Sequence, residues 1–424
     1  MSVSILFVVL TALSVFSSLQ GFVLLAVASR PVSGPQKEPR RRVSVIVPCF
    51  NEEKVLSKTL DSILASRGVE LDRVICVDDG STDSTPKVMD EAQQRHGDVL
   101  LVLGQDNRGK AAALNHALTA VSTEFFASVD ADTQVLPDTL ARLLAHFTDP
   151  RVAAVSGQMI VGNRHPQQEF VYAAQVREYE SANNIERRAF AHVRRITVIP
   201  GAIGAFRRSA VAEAGGYPEG TLAEDAHLTL ALLLDGHRTT HEASATVLTE
   251  APDTMAGLRR QRVRWATGKT QVLLRVAGPA LRRGGLAAAL WLYLLWNNSI
   301  LPLVWLPSAL LLPLSAVTLL ARGPETVTWV VAACVLTLAV NYGHFVVSRQ
   351  FARSLDAAGR AAAGLAEVRN SVRSAVVVPL VGSLATWIAW ARILTGRPGG
   401  WDKLDRSGDV QAQPISPEGA LNAD

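Results

Sequence analysis

This chain of 424 residues has few cysteines, and their spacing argues against a disulfide-stabilised domain and against a zinc-binding domain. The three cysteines, Cys49, Cys76 and Cys334, show no CxxC spacing, which argues against a disulfide framework and against a zinc site. The nine histidines give no metal-ligand pattern, and we interpret His237 and His241 as structural. The thiols therefore indicate small buried side chains in a reducing compartment.

Charge is missing from several long stretches of the chain. Residues 1–29 and 286–321 contain no charged side chain, and most of 326–348 and 374–391 is equally apolar. Each stretch reaches or approaches the roughly 20 apolar residues that cross a bilayer. Hydrophobic residues make up 48% of the chain, so a purely soluble protein is not expected. We predict an N-terminal transmembrane anchor at 1–29 and a transmembrane region of two to four spans at 286–396.

Two questions about these apolar stretches stay open. Residues 286–321 contain three prolines and are either one span plus an interfacial helix or two short spans, and 374–391 are either a final crossing or a re-entrant helix. The first stretch has no basic residue before its apolar run, and that run is longer than the core of a signal peptide. A retained anchor is therefore the favoured interpretation for 1–29.

Basic residues flank the apolar stretches on one side. Residues 30–42 form a linker that holds Arg30, Lys37 and a run of three arginines, which places that end of the anchor inside the cell. Residues 257–285 carry eight basic side chains and no acid directly before a membrane stretch, which favours a membrane surface over a nucleic acid as partner. We predict an interfacial helix there, and a polar tail at 397–424.

Between these segments, residues 43–256 show strands alternating with helices. A run rich in β-branched residues at 43–48 and apolar runs at 74–77, 99–103 and 125–129 alternate with helical spacing at 52–65 and 110–121. A further helix is expected at 168–190, a strand pair at 198–206 and a helix at 222–234. This βαβ series predicts an α/β fold, an open doubly wound and mostly parallel sheet.

Polar side chains follow three of the predicted strands at the point where each strand ends. They are Asn51, Asp78, Asp79, Asp130 and Asp132. Ligands of doubly wound sheets bind at the carboxyl ends of the strands. One acidic strand end is common by chance, whereas three in series indicate a binding site.

Asp130 and Asp132 have the spacing of a metal site on a strand edge. Mg²⁺ or Mn²⁺ takes few protein carboxylates and fills its other positions with substrate phosphates. The alternative is a solvated turn before a helix.

Asp78 and Asp79 suit the N–H groups of a base or the hydroxyls of a ribose, or they belong to a helix cap. Lys110 suits a base or phosphate, or is a surface lysine.

Two further groups lie in the second half of the chain. Glu224 and Asp225 begin an apolar helix, where an acid either accepts a proton from a sugar hydroxyl or compensates the helix dipole. Asp225 is our candidate base. Gln261 and Arg264 share a face of the basic helix and suit a pyrophosphate, and Trp265 suits a sugar ring; the alternative is a membrane-interface helix with an aromatic anchor.

Six sequence stretches together resemble the inverting family 2 glycosyltransferases. They are VSVIVPCFNEE, VDDGSTD, DNRGKAAALN, SVDADT, AEDAHLT and QRVRW, which lie within 43–270. More narrowly, the chain resembles the membrane-embedded processive branch, which includes poly-N-acetylglucosamine, hyaluronan, chitin and cellulose synthases. Residues 401–406 are similar to a C-terminal tryptophan motif of some relatives. The chain departs from the pattern in showing one N-terminal helix, where relatives often have two, and Ala223 before the acids.

The resemblance implies a GT-A-type fold, inversion by single displacement, and a role for each motif. Uridine and the rest of the nucleotide sugar would be bound by Asn51, Glu52, Asp78, Asp79, Lys110 and Asp130. Diphosphate and acceptor would be bound by Glu224, Gln261, Arg264 and Trp265. Asp130 and Asp132 would hold Mg²⁺ or Mn²⁺, and Asp225 would be the general base.

The expected activity is transfer of a sugar from a nucleotide diphosphate, with UDP-N-acetylglucosamine as the expected donor, to a growing polysaccharide that is exported. The alternatives are non-processive transfer to a lipid or polyprenyl-phosphate acceptor, and a non-catalytic scaffold that binds nucleotide sugar. We expect a multi-pass protein of the inner or plasma membrane with a cytoplasmic catalytic domain. Its partners would be the donor, the acceptor and the bilayer but no nucleic acid, and an accessory membrane subunit stays an open question.

Overall fold

The computed structural model describes residues 3–30, 40–163, 169–176, 178–179, 183–354, 365–397, 408 and 410. Its strands are β1 (Arg42–Cys49), β2 (Glu70–Asp78), β3 (Leu100–Gly104), β4 (Phe125–Val129), β5 (Thr133–Val135), β6 (Val152–Val161), β7 (Ile203–Arg207) and β8 (Arg238–Thr249). Most of the 30–42 linker, the 401–406 motif and nearly all of the 397–424 tail lie outside the described residues.

Fourteen helical segments accompany these strands in the described part of the chain. The first nine are α1 (Val3–Ala28), α2 (Leu56–Leu64), α3 (Thr85–His96), α4 (Lys110–Thr119), α5 (Thr139–Leu144), α6 (Glu169–Val176), α7 (Asn183–His192), α8 (Arg208–Glu213) and α9 (Glu224–Leu234). The others are α10 (Met255–Arg283), α11 (Gly285–Leu295), α12 (Leu301–Leu320), α13 (Pro324–Ser354) and α14 (Leu365–Leu394).

The eight strands form one sheet in the order β3-β2-β1-β4-β7-β6-β8-β5. The β3, β2, β1 and β4 strands are all parallel, whereas β7 is antiparallel to both of its neighbours. The chain moves outward from β1 to β3 and then returns to place β4 on the other side of β1. The predicted α/β doubly wound sheet is confirmed, with a mixed second half. Its topological switch point lies between β1 and β4, where such sheets bind ligands.

The sheet is covered on both faces because its central strands carry apolar side chains on both sides. Along β1, Val45 and Val47 belong to one core cluster and Ile46 to another, as the two-residue period of a strand requires. The first cluster includes Leu60 of α2, and the second includes Leu114 of α4. Two packed faces leave the strand ends as the polar edge of this domain.

Three predicted elements differ from the observed ones. The strand pair expected at 198–206 is wrong, because the structure has the single strand β7 there, paired with β4 and β6. The helix expected at 168–190 corresponds to α6 and α7, and residues 168, 177 and 180–182 lie outside the described residues. Strand β8 was not predicted, although it pairs with β6 over most of its length.

In the part of the chain that the structure describes, four helices are long and apolar enough to cross a membrane: Ser4–Ala28, Gly285–Leu320, Thr326–Ser348 and Val376–Leu394. The second is continuous through a π-helical turn at Trp296–Ile300, and its 36 residues exceed the length of one span. The helix contains no turn that would separate two short spans, and the number of crossings that residues 285–320 make stays a prediction. The fourth continues α14 without a re-entrant turn.

Polar side chains join these helices to one another. Asn341 of α13 donates a hydrogen bond to Ser14 Oγ of α1 at 3.1 Å, and Ser383 of α14 donates to the Pro302 carbonyl of α12 at 2.6 Å. The α14 helix also packs against α10, the helix that carries the QxxRW-type motif. The apolar helices and the sheet domain are therefore in direct contact.

Candidate active site

The residues after β1 hold the loop that follows β2. Asn51 has a positive φ of 55°, which asparagine tolerates better than most side chains. Its Oδ1 accepts hydrogen bonds from the backbone amides of Thr82 at 2.7 Å and Asp83 at 3.3 Å. Glu52 is buried, and its backbone amide donates to Thr85 Oγ1 at 2.6 Å. These contacts fix the two strand ends relative to each other.

Asp78 and Asp79 lie at the end of β2 but differ in their surroundings. Asp79 is buried, and its carboxylate accepts hydrogen bonds from the backbone amides of Arg108 at 2.9 Å and Gly109 at 2.8 Å. Asp78 is half-buried and accepts one from the Ser81 amide at 3.1 Å. Asp79 therefore anchors the loop that leads into α4, and Asp78 is the more accessible of the two.

Lys110 stands at the centre of the site. It is the first residue of α4, and its ammonium lies 2.5 Å from Asp130 Oδ1 at the end of β4 and 3.4 Å from Glu224 Oε1 at the start of α9. Burial would lower the pKa of Lys110, but the carboxylates of Asp130 and Glu224 outweigh burial and raise it. The lysine therefore stays charged and holds the two acids together.

Asp225 lies next to this cluster and carries a perturbed carboxyl group. Burial, followed by repulsion from Glu224, raises the pKa of Asp225 from 3.8 to about 6. The positive charge of Lys110 and a 2.7 Å hydrogen bond from the Ala226 amide act in the opposite direction. A carboxyl group whose pKa lies near the working pH suits proton transfer, because it is deprotonated at that pH and is still basic enough to accept a proton.

Gly201 approaches the centre of the cluster from the loop before β7. A Cβ at this position would overlap the Lys110 ammonium and lie 3.2 Å from both carboxylate oxygens of Asp130. Only glycine leaves the Lys110–Asp130 ion pair in place here. This residue was not predicted from the sequence, where the apolar, glycine-containing stretch was interpreted as part of a strand pair.

A second group is centred on α10. Gln261 is buried, and its side chain donates to Tyr179 Oη at 3.2 Å and accepts from Arg262 Nη1 at 2.6 Å. Arg262 forms an ion pair with Glu178 at 2.5 Å, and its guanidinium lies 4.4 Å from the centre of the Trp265 ring. The indole is half-buried, which leaves part of it available for a sugar.

Sequence reasoning missed several members of this group. Arg262 is the arginine that stacks on Trp265, whereas the predicted Arg264 is half-buried and lies one position from the indole in the chain. The i,i+3 spacing of Arg262 and Trp265 was the available signal. Arg187 of α7 was also missed. Burial lowers the pKa of Arg187, and its charge interacts with Asp225 and Tyr179, so it connects the two groups electrostatically.

The two carboxylates predicted to bind metal lie in different surroundings. Asp130 is partly accessible and paired with Lys110, whereas Asp132 is buried and accepts a hydrogen bond from the Thr133 hydroxyl at 3.2 Å. Among the described residues, no group of three or more histidine, cysteine and acidic side chains has a metal-binding arrangement. The Lys110 ammonium shows that the oxygens around Asp130 accommodate a cation. Carboxylates and substrate phosphates are ligands that suit Mg²⁺ or Mn²⁺, and the assignment of this role to Asp130 and Asp132 stays a prediction.

Comparison with known proteins agrees with the family resemblance. Residues 44–215 match the model of glycosyl transferase family 2. The resemblance inferred from the motifs is thereby confirmed over this part of the chain.

Two of the proteins with a similar sequence carry the same name and come from two species. Poly-beta-1,6-N-acetyl-D-glucosamine synthase of Staphylococcus aureus is 30% identical over 270 residues, which cover 63% of this chain and 63% of the relative. The enzyme of the same name from Staphylococcus epidermidis is 30% identical over 264 residues, covering 62% of each. The chain thus spans less than two thirds of the length of these relatives.

A solved structure supports the fold over nearly the whole chain. It is a mannosyltransferase from Pyrobaculum calidifontis in complex with GDP-Man and Mn2+, with a TM-score of 0.59 and 22% identity. The similarity covers 93% of this chain and 100% of that one. At this identity the likeness concerns the fold, including the apolar helices that accompany the sheet domain.

Proposed function

We propose that this chain transfers N-acetylglucosamine from UDP-N-acetylglucosamine to a growing polysaccharide, with inversion at the anomeric carbon. The observation that carries the proposal is the position of Asp225, with its raised pKa, beside Lys110, Asp130 and Glu224 at the carboxyl edge of the sheet. The similarity to poly-beta-1,6-N-acetyl-D-glucosamine synthases supports the choice of donor and product.

In the proposed reaction Asp225 accepts the proton of an acceptor hydroxyl. The hydroxyl oxygen forms a bond to the anomeric carbon, and the bond between that carbon and the diphosphate oxygen breaks. The bonding electrons leave with the diphosphate, and the proton stays on the Asp225 carboxyl. Deprotonation of Asp225 before the reaction is favoured above pH 6, so the base is available at neutral pH.

Lys110 has two roles in this scheme. Without donor it neutralises Asp130 and Glu224, which would otherwise repel a diphosphate. With donor bound, its ammonium is placed to meet the negative charge that develops on the leaving group. Asp130 and Asp132 would hold Mg²⁺ or Mn²⁺, which when bound neutralises charge on the diphosphate.

The acceptor is assigned to the surface around α10. Trp265 offers an aromatic face to a sugar ring, and the Arg262–Glu178 ion pair orients it from the opposite side. Arg264 and the buried Gln261 complete the predicted diphosphate and acceptor set, together with Glu224. Asn51, Glu52 and Asp78 are assigned to the nucleotide, with Asp79 anchoring the loop that presents Lys110.

Membrane placement follows from the four apolar helices and their basic flanks. We place the sheet domain on the cytoplasmic side of the inner or plasma membrane, because nucleotide sugars are made in the cytoplasm. The product would then be exported across that membrane. The bilayer is thus a partner as well as the donor and the acceptor. Labelling of a single cysteine introduced at the exposed positions Arg108 or Arg322, from either side of sealed vesicles, tests this orientation.

The decisive experiment is a donor screen followed by product sizing. The purified full chain is incubated with labelled UDP-N-acetylglucosamine, UDP-glucose or GDP-mannose and with Mg²⁺, Mn²⁺ or chelator. We expect incorporation from UDP-N-acetylglucosamine alone, dependence on metal and a ladder of products. A single addition to a lipid would favour the non-processive alternative, and preference for another donor would overturn the assigned sugar.

A further inference from the structure

An apolar groove lies where the basic helix α10 turns into the membrane helix α11. Its floor is formed by Leu230 and Leu234 of α9, and its walls by Val276 of α10 and by Leu290 and Leu294 of α11. The groove is open to solvent and has a cavity volume of about 240 Å³. The groove is separate from the residues assigned to the transfer reaction.

Two consecutive glycines create the corner that opens the groove. Gly284 and Gly285 have positive φ values of 64° and 50°, and this conformation ends α10 and starts α11 in a new direction. Leu286, directly after the corner, is 61% exposed and lines the groove. Trp291 closes the inner end and donates from its indole to the Leu273 carbonyl at 3.0 Å. The groove is therefore continuous with the apolar surface of a membrane helix.

Arginines stand at the groove without strong acidic partners. Arg195 donates hydrogen bonds to the backbone carbonyls of His237 at 2.8 Å and Arg194 at 3.4 Å, and within the described ranges it forms no ion pair. Burial and the nearby Arg238 lower its pKa. Arg283 meets Asp235 only at 3.7 Å, with both side chains about half exposed, and such surface pairs contribute little.

We propose that this groove binds one anionic glycerophospholipid of the bilayer. An acyl chain would lie against the leucines, and the phosphate would meet Arg195 and Arg283. Guanidinium groups suit phosphate because their paired N–H donors match its oxygens, and basic residues at the membrane surface attract anionic lipids. The apolar floor, the net positive rim and the membrane helix on one side together match this ligand.

Two of the three helices that line the groove, α9 and α10, also carry active-site residues towards their first turns. Glu224 and Asp225 begin α9, and Leu230, Leu233 and Leu234 of the same helix line the groove. Leu230 lies five residues after Asp225, which is about 8 Å along the helix, so the groove begins less than two turns from the base. A bound lipid would fix the far ends of α9 and α10, and its loss would loosen the support of Asp225.

Lipid retention is the direct test, and it is independent of sugar transfer. The full chain is purified in nanodiscs, transferred to mild detergent and weighed by native mass spectrometry in the presence of phosphatidylglycerol or phosphatidylcholine with the same acyl chains. The variants are Arg195→Gln combined with Arg283→Gln, and Ala287→Trp, which fills the groove from a half-buried position. Arg259→Gln combined with Arg260→Gln is the control, since both lie exposed on α10 away from the groove.

The wild-type chain should retain one phosphatidylglycerol in preference to phosphatidylcholine. Loss of both arginines should weaken retention about 30-fold, as expected for about 1 kcal/mol per basic residue, and Ala287→Trp should abolish it. The control should match the wild type, and circular dichroism should show all variants folded. Equal retention of the two lipids, retention unaffected by the arginine changes, or a dimer joined through this groove would each overturn the proposal.

Discussion

The Lys110 ammonium lies 2.5 Å from Asp130 Oδ1, joining the first turn of one helix to the end of the central strand β4. The same ammonium is 3.4 Å from Glu224. One lysine therefore gathers acids from the two halves of the domain next to the proposed base. The predictions below follow from this arrangement.

Gly201→Ala should disable the site without unfolding the domain. The new methyl group overlaps the Lys110 ammonium, so the lysine must move away from Asp130. We expect transfer to fall at least tenfold while the midpoint of thermal unfolding changes by only a few degrees. Gly104→Ala is the matched control, because its Cβ meets nothing within 4 Å and its activity should stay at the wild-type level. Equal activity of both variants would contradict the assigned role of the ion pair.

The pH dependence of transfer should show an acidic limb with an apparent pKa near 6, because Asp225 must be deprotonated to accept a proton. Glu224→Gln removes a repelling charge and should move this limb to lower pH. Lys110→Gln removes an attracting charge and should move it to higher pH. Profiles of kcat/KM against pH measure both shifts. Shifts of the same sign would show that another group titrates.

Removing the Asp225 charge should stabilise the folded chain above pH 6. The carboxyl has a pKa of about 6 when folded and 3.8 as the ordinary value, so the wild-type chain loses stability as the pH rises between these values. The Asp225→Asn variant keeps a neutral side chain throughout. It should therefore exceed the wild type by about 3 kcal/mol at pH 8 and by nearly nothing at pH 3, because each unit of pKa difference corresponds to about 1.4 kcal/mol. Denaturant unfolding at the two pH values checks the sign.

Arg262→Lys should weaken acceptor use although the charge is kept. A lysine cannot both stack on Trp265 and reach Glu178 with a planar group. We expect the KM for a soluble acceptor oligosaccharide to rise roughly tenfold, since a cation–π contact contributes about 0.5–1 kcal/mol when exposed and about 2 kcal/mol or more when desolvated. Arg260→Lys, an exposed neighbour, should stay within twofold. A changed KM for the donor with an unchanged one for the acceptor would contradict the assignment.

The strand ends of the first half were predictable because parallel strands carry a strong local signal. Apolar runs such as 43–48 mark buried strands, and each polar side chain directly after such a run must lie at the same edge of the sheet. This pattern predicts that Asn51, Asp78 and Asp130 lie at one edge of the sheet. The family resemblance then gave these positions chemical roles.

The second half was harder to predict because its contacts are distant in the chain. Strand β8 has alternating polar residues and pairs with β6, so that Val152 lies opposite Arg238. Nothing within either segment specifies that pairing. The same holds for Arg262 and Glu178, and for Gly201, whose importance depends on a side chain that arrives from another element. A local sequence pattern does not show which residues from distant parts of the chain will be in contact.

The most direct measurement of the central claim is transfer from labelled UDP-N-acetylglucosamine by wild-type chain and by Asp225→Asn, with UDP binding measured on the same samples. The account predicts a polymer ladder from the wild type, a loss of transfer of at least a hundredfold in the variant, and UDP affinity within twofold. Undiminished transfer by Asp225→Asn would contradict the account.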